Sequence, residues 1–188
     1  MDIWLGPADA AKDMLRAVLG PGAEIVREES GRPRVVGGPD FNLSHSGDLA
    51  VLAVSWERRV GIDIEQHREL DHLGMAARVL LPQEHARIAA LPQRDQAAEF
   101  FRYWTVKEAF VKVTGVGLSG LPGPEYAAGA LTVRGERWSV AELVLPQGYS
   151  GAVVSPGPPL AVRQRAWSPL SRDAGSARPS SPATRRAW

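Results

Sequence analysis

Two carboxylates two positions apart are the first candidates for chemistry. They stand in Gly61-Ile62-Asp63-Ile64-Glu65. In a strand, side chains alternate between faces, so Asp63 and Glu65 share one face while Ile62 and Ile64 share the other. The apolar pair would anchor the strand in a core and hold the two carboxylates about 7 Å apart along it. Like charges that near repel each other unless a cation sits between them. Magnesium resolves the conflict, since it takes one or two carboxylates together with substrate phosphates and water. A strand with a solvated polar face accounts for the same five residues.

A second group lies in Trp104-Thr105-Val106-Lys107-Glu108-Ala109-Phe110-Val111-Lys112. Glu108 and Lys112 are four apart and stack on one helical face. Such a pair usually gives only surface support, a few tenths of a kcal/mol. Here the surrounding Phe and Trp residues make an idle charge costly, and a third carboxylate one turn from a lysine suits a site for magnesium and phosphate. The third group is Phe41-Asn42-Leu43-Ser44-His45-Ser46-Gly47. Its hydroxyls, imidazole and backbone N–H groups can contact phosphate oxygens, though this segment taken alone favours a turn closed by Asn and Ser side chains. A serine-hydrolase triad fits poorly, because Ser44 and His45 are adjacent and no Gly-x-Ser-x-Gly elbow occurs. Zinc fits poorly too: there is no cysteine, and the four histidines lack a metal-ligand spacing.

The elements that must position these groups follow from hydrophobic pattern and turn residues. Residues 8–19 form an amphipathic helix stopped by Gly20-Pro21-Gly22. Short extended pieces at Ile25-Val26 and Val35-Val36 flank Gly31-Arg32-Pro33. Leu49 to Trp56 is almost wholly apolar, a strand buried on both faces. Glu57-Arg58-Arg59 then turns the chain so that Val60 to Glu65 returns as its partner. Residues 72–80 and 83–90 are helical, and the longest helix runs from Asp95 to Val113, ended by Thr114-Gly115. Strands follow at 130–134, 137–144, 149–154 and 160–167, with a hairpin turn at Arg134-Gly135-Glu136-Arg137.

The 188 residues carry a net charge of +1, which hides an asymmetry. Residues 163–188 hold six Arg against one Asp, leaving residues 1–162 with a net charge of −4. An acidic folded part argues against nucleic acid as a partner. Residues 168–188, rich in Ser, Pro, Ala and Arg, read as a disordered tail. The absence of cysteine fits a reducing compartment, and the prolines at 146, 156, 158 and 159 break the longest uncharged stretch, so no membrane span is expected. The start lacks the pattern of a signal peptide. A soluble, cytoplasmic protein is the expectation.

In this order the three groups resemble the motifs of the 4′-phosphopantetheinyl transferase family. Members carry Asn-(Leu/Ile)-Ser-His-Ser, then Gly-(Ile/Val)-Asp-(Ile/Val)-Glu, then Trp-(Ser/Thr)-x-Lys-Glu-(Ala/Ser)-x-x-Lys. Here these stand as Asn42–Ser46, Gly61–Glu65 and Trp104–Lys112, followed by Gly115-Val116-Gly117-Leu118. The resemblance implies an enzyme that moves the phosphopantetheine arm of coenzyme A onto a serine of an acyl or peptidyl carrier protein, releasing 3′,5′-ADP. It further implies Asp63, Glu65 and Glu108 as magnesium ligands, Glu108 also as base, and Lys112 as the neutraliser of phosphate charge. Ser44, His45 and Arg32, the last in a Gly-Arg-Pro segment, would bind coenzyme A.

The segment preceding Asp63 resembles the Sfp-type subgroup, monomers of two similar lobes with the site between them. Such chains usually have a longer basic N-terminal region; here Lys12 and Arg16 are the only basic residues before Arg27. The expected fold is therefore α+β, two pseudo-twofold lobes, each a small antiparallel sheet packed with a helix. The lobes would span 1–60 and 61–167, with the tail at 168–188. Two rivals stand beside this reading. One is a non-catalytic remnant that binds coenzyme A or a carrier protein. The other is a magnesium-dependent nuclease, disfavoured by His67 where such sites often place lysine.

Overall fold

The structure, a computed structural model, describes residues 1–117, 123–159 and 161–169. Residues 170–188, most of the expected tail, and Leu118 of the glycine-containing segment lie outside the described residues. The elements run β1 (Asp2–Pro7), a short 3₁₀ turn, α1 (Ala11–Leu19), β2 (Ile25–Arg27), β3 (Pro33–Val35), β4 (Asp40–Ser46), β5 (Leu49–Ser55) and β6 (Gly61–Gln66). Then come α2 (His72–Val79), α3 (Pro82–Ala89), α4 (Gln93–Thr114), β7 (Glu125–Ala127), β8 (Ala130–Val133), β9 (Glu136–Glu142), β10 (Tyr149–Pro156) and β11 (Arg163–Ala166). The fold is α+β, with two main sheets that each pack a helix.

The first sheet has the order β11-β1-β5-β4 and the second β6-β10-β9-β8-β7, while β2 and β3 form a separate hairpin. Alternation along β5 explains the layering. Ala50, Leu52 and Val54 pack with Ala11 and Met14 of α1, whereas Val51 and Ala53 pack with Ile62 and Ile64 of β6 and Val153 of β10. The two sheets thus stand back to back with a helix outside each. On the far side of the second sheet, Ala152 and Val154 of β10 meet Val106, Ala109, Phe110 and Val113 of α4. Burying each of the Val and Phe side chains among these contributes about 1.5–3 kcal/mol.

Four features differ from the sequence expectations. Residues 40–46, offered as a phosphate-contacting segment or a turn, form the full strand β4, paired with β5 along its length. Val60 to Glu65 does not return as the partner of β5; β6 pairs with β10, in the register Asp63↔Ala152. The reason is that both edges of β5 are taken, by β4 and by β1, a strand that its Gly6 and Pro7 disguise. Strand β7, three residues with a single fully buried side chain, Tyr126, is not among the expected strands either. Finally, residues 163–166, expected among the strands of the second lobe, pair in parallel with β1 of the first sheet.

The sheets also meet along a seam without backbone pairing between β4 and β6. Every second side chain of β4 reaches toward β6. Asp40 Oδ1 accepts the Val60 N–H at 2.9 Å, Asn42 Oδ1 the Ile62 N–H at 2.9 Å, and Ser46 Oγ the Gln66 N–H at 3.0 Å. Short polar side chains thereby satisfy the outer edge of β6. On the other side α4 lies against β6 so closely that a Cβ on Gly61 would fall 2.0 Å from the Ala109 carbonyl oxygen. Only glycine permits this approach, and it brings α4 against the carboxylate face of β6.

Candidate active site

Strand β6 sends Ile62 and Ile64 into the core between the sheets and turns Asp63 and Glu65 toward α4, as its alternation requires. From α4, residues 104, 108 and 112 recur at intervals of four and share one helical face. From β4, Ser44 and Ser46 project on the same side as each other. The site is built where these three faces converge.

Lys112 Nζ donates to Asp63 Oδ1 at 2.6 Å and to Ser44 Oγ at 2.8 Å, and Ser44 Oγ donates to the same Asp63 oxygen at 2.8 Å. Asp63 is 4% exposed, and its Oδ2 has no hydrogen-bond partner. Glu108 Oε1 is also buried without a partner. Glu65 is better satisfied: Oε2 accepts from Ser46 Oγ at 2.9 Å and Arg68 Nη1 at 3.1 Å, and Oε1 accepts from Trp104 Nε1 at 3.3 Å.

The electrostatics follow from this crowding. Burial pushes the Asp63 carboxyl above its ordinary range, against the pull of Lys112 and Ser44, and Glu65 adds to the rise. Burial also raises Glu108; Asp63 and Glu65 push it further while Lys112 opposes them. Three carboxyl groups therefore face two cations, the Lys112 ammonium at Asp63 and the exposed Arg68 guanidinium at Glu65, which leaves one negative charge unmatched. A deficit of positive charge of this kind attracts a cation or a protonated partner.

Of the residues singled out by sequence, Ser44, Asp63, Glu65, Glu108 and Lys112 come together. His45 does not join them: it is exposed and alternates onto the other face of β4. Arg32 departs from the expectation of a coenzyme contact. It is 5% exposed, and Nε, Nη1 and Nη2 all donate inward, to Lys112 O, Asp40 and Val60 O. Ser46 and Trp104 were missed as partners of Glu65. The signals were available: Ser46 lies two residues beyond Ser44 on a strand, and Trp104 one turn before Glu108, with an indole N–H that needs an acceptor.

The donor set fits a hard divalent cation. Its oxygens come from Asp63, Glu65 and Glu108, and two buried ones have no partner. Among the described residues, however, no group of three or more such side chains is already gathered as a metal cage. The positive charge beside Asp63 in this structure is the Lys112 ammonium.

Residues 59–143, which hold Asp63, Glu65, Glu108 and Lys112, match the model of the ACPS family, the 4′-phosphopantetheinyl transferase superfamily. The 4′-phosphopantetheinyl transferase HetI of a Nostoc species is 37% identical over 166 residues, covering 79% of this chain and 70% of that protein. The chain belongs to the 4′-phosphopantetheinyl transferase superfamily. The transferase psf-1 of Bacillus pumilus is 40% identical over 129 residues, and AcpT of Salmonella typhimurium 42% identical over 115. These alignments span 52% and 58% of the two relatives, so against them this phosphopantetheinyl transferase chain matches little more than half the partner's length.

Proposed function

We propose that the protein transfers the 4′-phosphopantetheine arm of coenzyme A to a serine hydroxyl of an acyl or peptidyl carrier protein, with magnesium, releasing 3′,5′-ADP. The observation that carries this reading is the pairing of one half-exposed lysine with three converging carboxylates, two with orphaned buried oxygens, in a chain of this superfamily.

Each residue has a role that its surroundings support. Ser44 and Lys112 already share a hydrogen bond and offer a hydroxyl and an ammonium to a phosphate oxygen. His45 is exposed on the other face of β4 and would contact a coenzyme A phosphate outside the carboxylate cluster. Asp63, Glu65 and Glu108 would hold magnesium, which when bound draws negative charge from the pyrophosphate and makes phosphorus easier to attack. Seryl oxygen forms the new bond to phosphorus as the bond to the ADP oxygen breaks, and the seryl proton passes to Glu108. A carboxylate raised above its ordinary range is a stronger base at neutral pH than a solvated one. The protein's task is chiefly to position groups and to stabilise charge.

This reading makes the protein a partner of coenzyme A and a carrier protein, acting as a monomer in the cytoplasm. No described helix is long and apolar enough to cross a membrane. The test uses the purified chain, an apo carrier protein, coenzyme A and magnesium, with the carrier followed by mass spectrometry. The expected result is a gain of one phosphopantetheine arm, abolished by chelation. Binding of coenzyme A or carrier without modification would replace the enzyme by a binding protein, and cleavage of added DNA would replace it by a nuclease.

A further inference from the structure

Arg32 sits just before β3, and its guanidinium joins four separate parts of the chain. Nη1 and Nη2 form a bidentate pair with Asp40 of β4, at 2.8 and 2.6 Å. Nη2 also donates to the Val60 carbonyl, at the entry to β6, at 2.7 Å, and to Phe41 O at 3.4 Å. Nε donates to the Lys112 carbonyl in the last turn of α4 at 3.1 Å. Asp40, so held, accepts the Val60 N–H and forms the first rung of the seam between β4 and β6. The same hairpin touches the end of α4 a second time, where a Cβ on Gly115 would lie 2.8 Å from the Ser30 Cβ.

From this geometry we infer that Arg32 is a positioning residue, a clamp that sets the C-terminal turn of α4, with Lys112 and Glu108, against Asp63 on β6. It holds the site from beneath and does not touch coenzyme A. A guanidinium suits the task because its planar fork can meet a carboxylate bidentately while still donating sideways to carbonyls. An ammonium is a single point and cannot span Asp40, Val60 O and Lys112 O together. Misplacing the lysine and carboxylates by a fraction of an ångström harms the chemical step more than the affinity for a coenzyme bound mainly elsewhere.

The kinetic half of the test rests on the transferase reading; the exchange half does not. Hydrogen exchange of the full chain, read by mass spectrometry, compares the unaltered protein with Arg32→Gln, Arg32→Lys and Asp40→Asn. Peptides covering 106–114 and 60–64 should exchange about tenfold faster in Arg32→Gln and Asp40→Asn, with 95–104 unchanged. Uniform acceleration along the chain, or none, would overturn the clamp. At a temperature where every variant is folded, kcat for carrier modification should fall about tenfold in Arg32→Gln and Asp40→Asn while KM for coenzyme A stays within about threefold. A tenfold rise in KM with kcat intact, confined to the Arg32 variants, would make Arg32 a coenzyme contact. Full rescue by Arg32→Lys would also overturn the clamp, since charge alone would then suffice. Should Arg32→Gln fail to fold, Asp40→Asn carries the same readouts with the guanidinium present. Should the unaltered protein modify no carrier, the functional reading fails, and the exchange pattern still decides the clamp.

Discussion

Helix α4 carries two lysines five positions apart, each paired with a carboxylate at nearly the same distance, and the two pairs are opposites. Lys107 and Glu84 are 2.7 Å apart and both fully buried. Their surroundings satisfy them: Lys107 also donates to the Pro124 carbonyl, while Glu84 accepts the Leu81 and Tyr126 N–H groups at 2.9 and 2.8 Å. Lys112 and Asp63 are 2.6 Å apart, but Lys112 keeps 29% of its side chain exposed, and Asp63 and Glu108 each retain an unpartnered buried oxygen. A closed pair of this kind fastens α4 to α3 and β7. The open one leaves bonding capacity for something that arrives later. Charge type and distance alone would not tell them apart; exposure and the count of satisfied oxygens do.

The largest effect should come from breaking the closed pair. Lys107→Met should cost about 3–5 kcal/mol in urea denaturation, because it strands a buried carboxylate, and replacing Glu84 and Lys107 together by apolar residues should cost less than either single change. Next, Glu108→Gln and Asp63→Ala should lower the proposed transfer by about a hundredfold or more, roughly 2.7 kcal/mol or above, while changing stability by about 1 kcal/mol or less. An inactive Lys107→Met that is fully stable, or an active Glu108→Gln, would erase the distinction between the pairs.

The pH dependence sharpens it. Asp63 and Glu108 are raised from ordinary values of 3.8 and 4.5, so the folded protein holds their protons more tightly than the unfolded chain. The resulting stabilisation is complete below those ordinary values and is lost as pH rises through the folded ones. Thermal melts without metal should therefore show the unaltered protein losing ground to Glu108→Gln between pH 4.5 and neutrality. Added magnesium should recover that loss at neutral pH and do little at pH 4.5. The smallest effect belongs to Trp104→Phe. It removes the N–H that reaches Glu65 but keeps a ring against Phe100, and should reduce turnover about threefold with stability lowered by about 1 kcal/mol.

Much of this site was legible because it depends on short-range periodicities. A period of two along β6 separates Ile62 and Ile64 from Asp63 and Glu65, and a period near four along α4 aligns Glu108 with Lys112. The features that stayed hidden join residues without any common period. Strand β1 contains Gly6 and Pro7 and finds its place only through β5 and β11. The inward turn of Arg32 depends on Asp40, eight residues on, and on a carbonyl eighty residues away. The Gly-Arg-Pro segment identifies a place in the chain, not the direction in which its side chain points.

The joint between the two sheets has a consequence of its own. Ladders of main-chain bonds hold strands at one spacing, whatever the residues. Between β4 and β6 the spacing is instead the reach of Asp40, Asn42 and Ser46. A single methylene added there, as in Asn42→Gln, would shift β4 relative to β6 at one level and leave the main-chain pairing of each sheet intact. Mutation can therefore adjust how Ser44 of one sheet meets Asp63 of the other in small steps, with no need to refold either sheet.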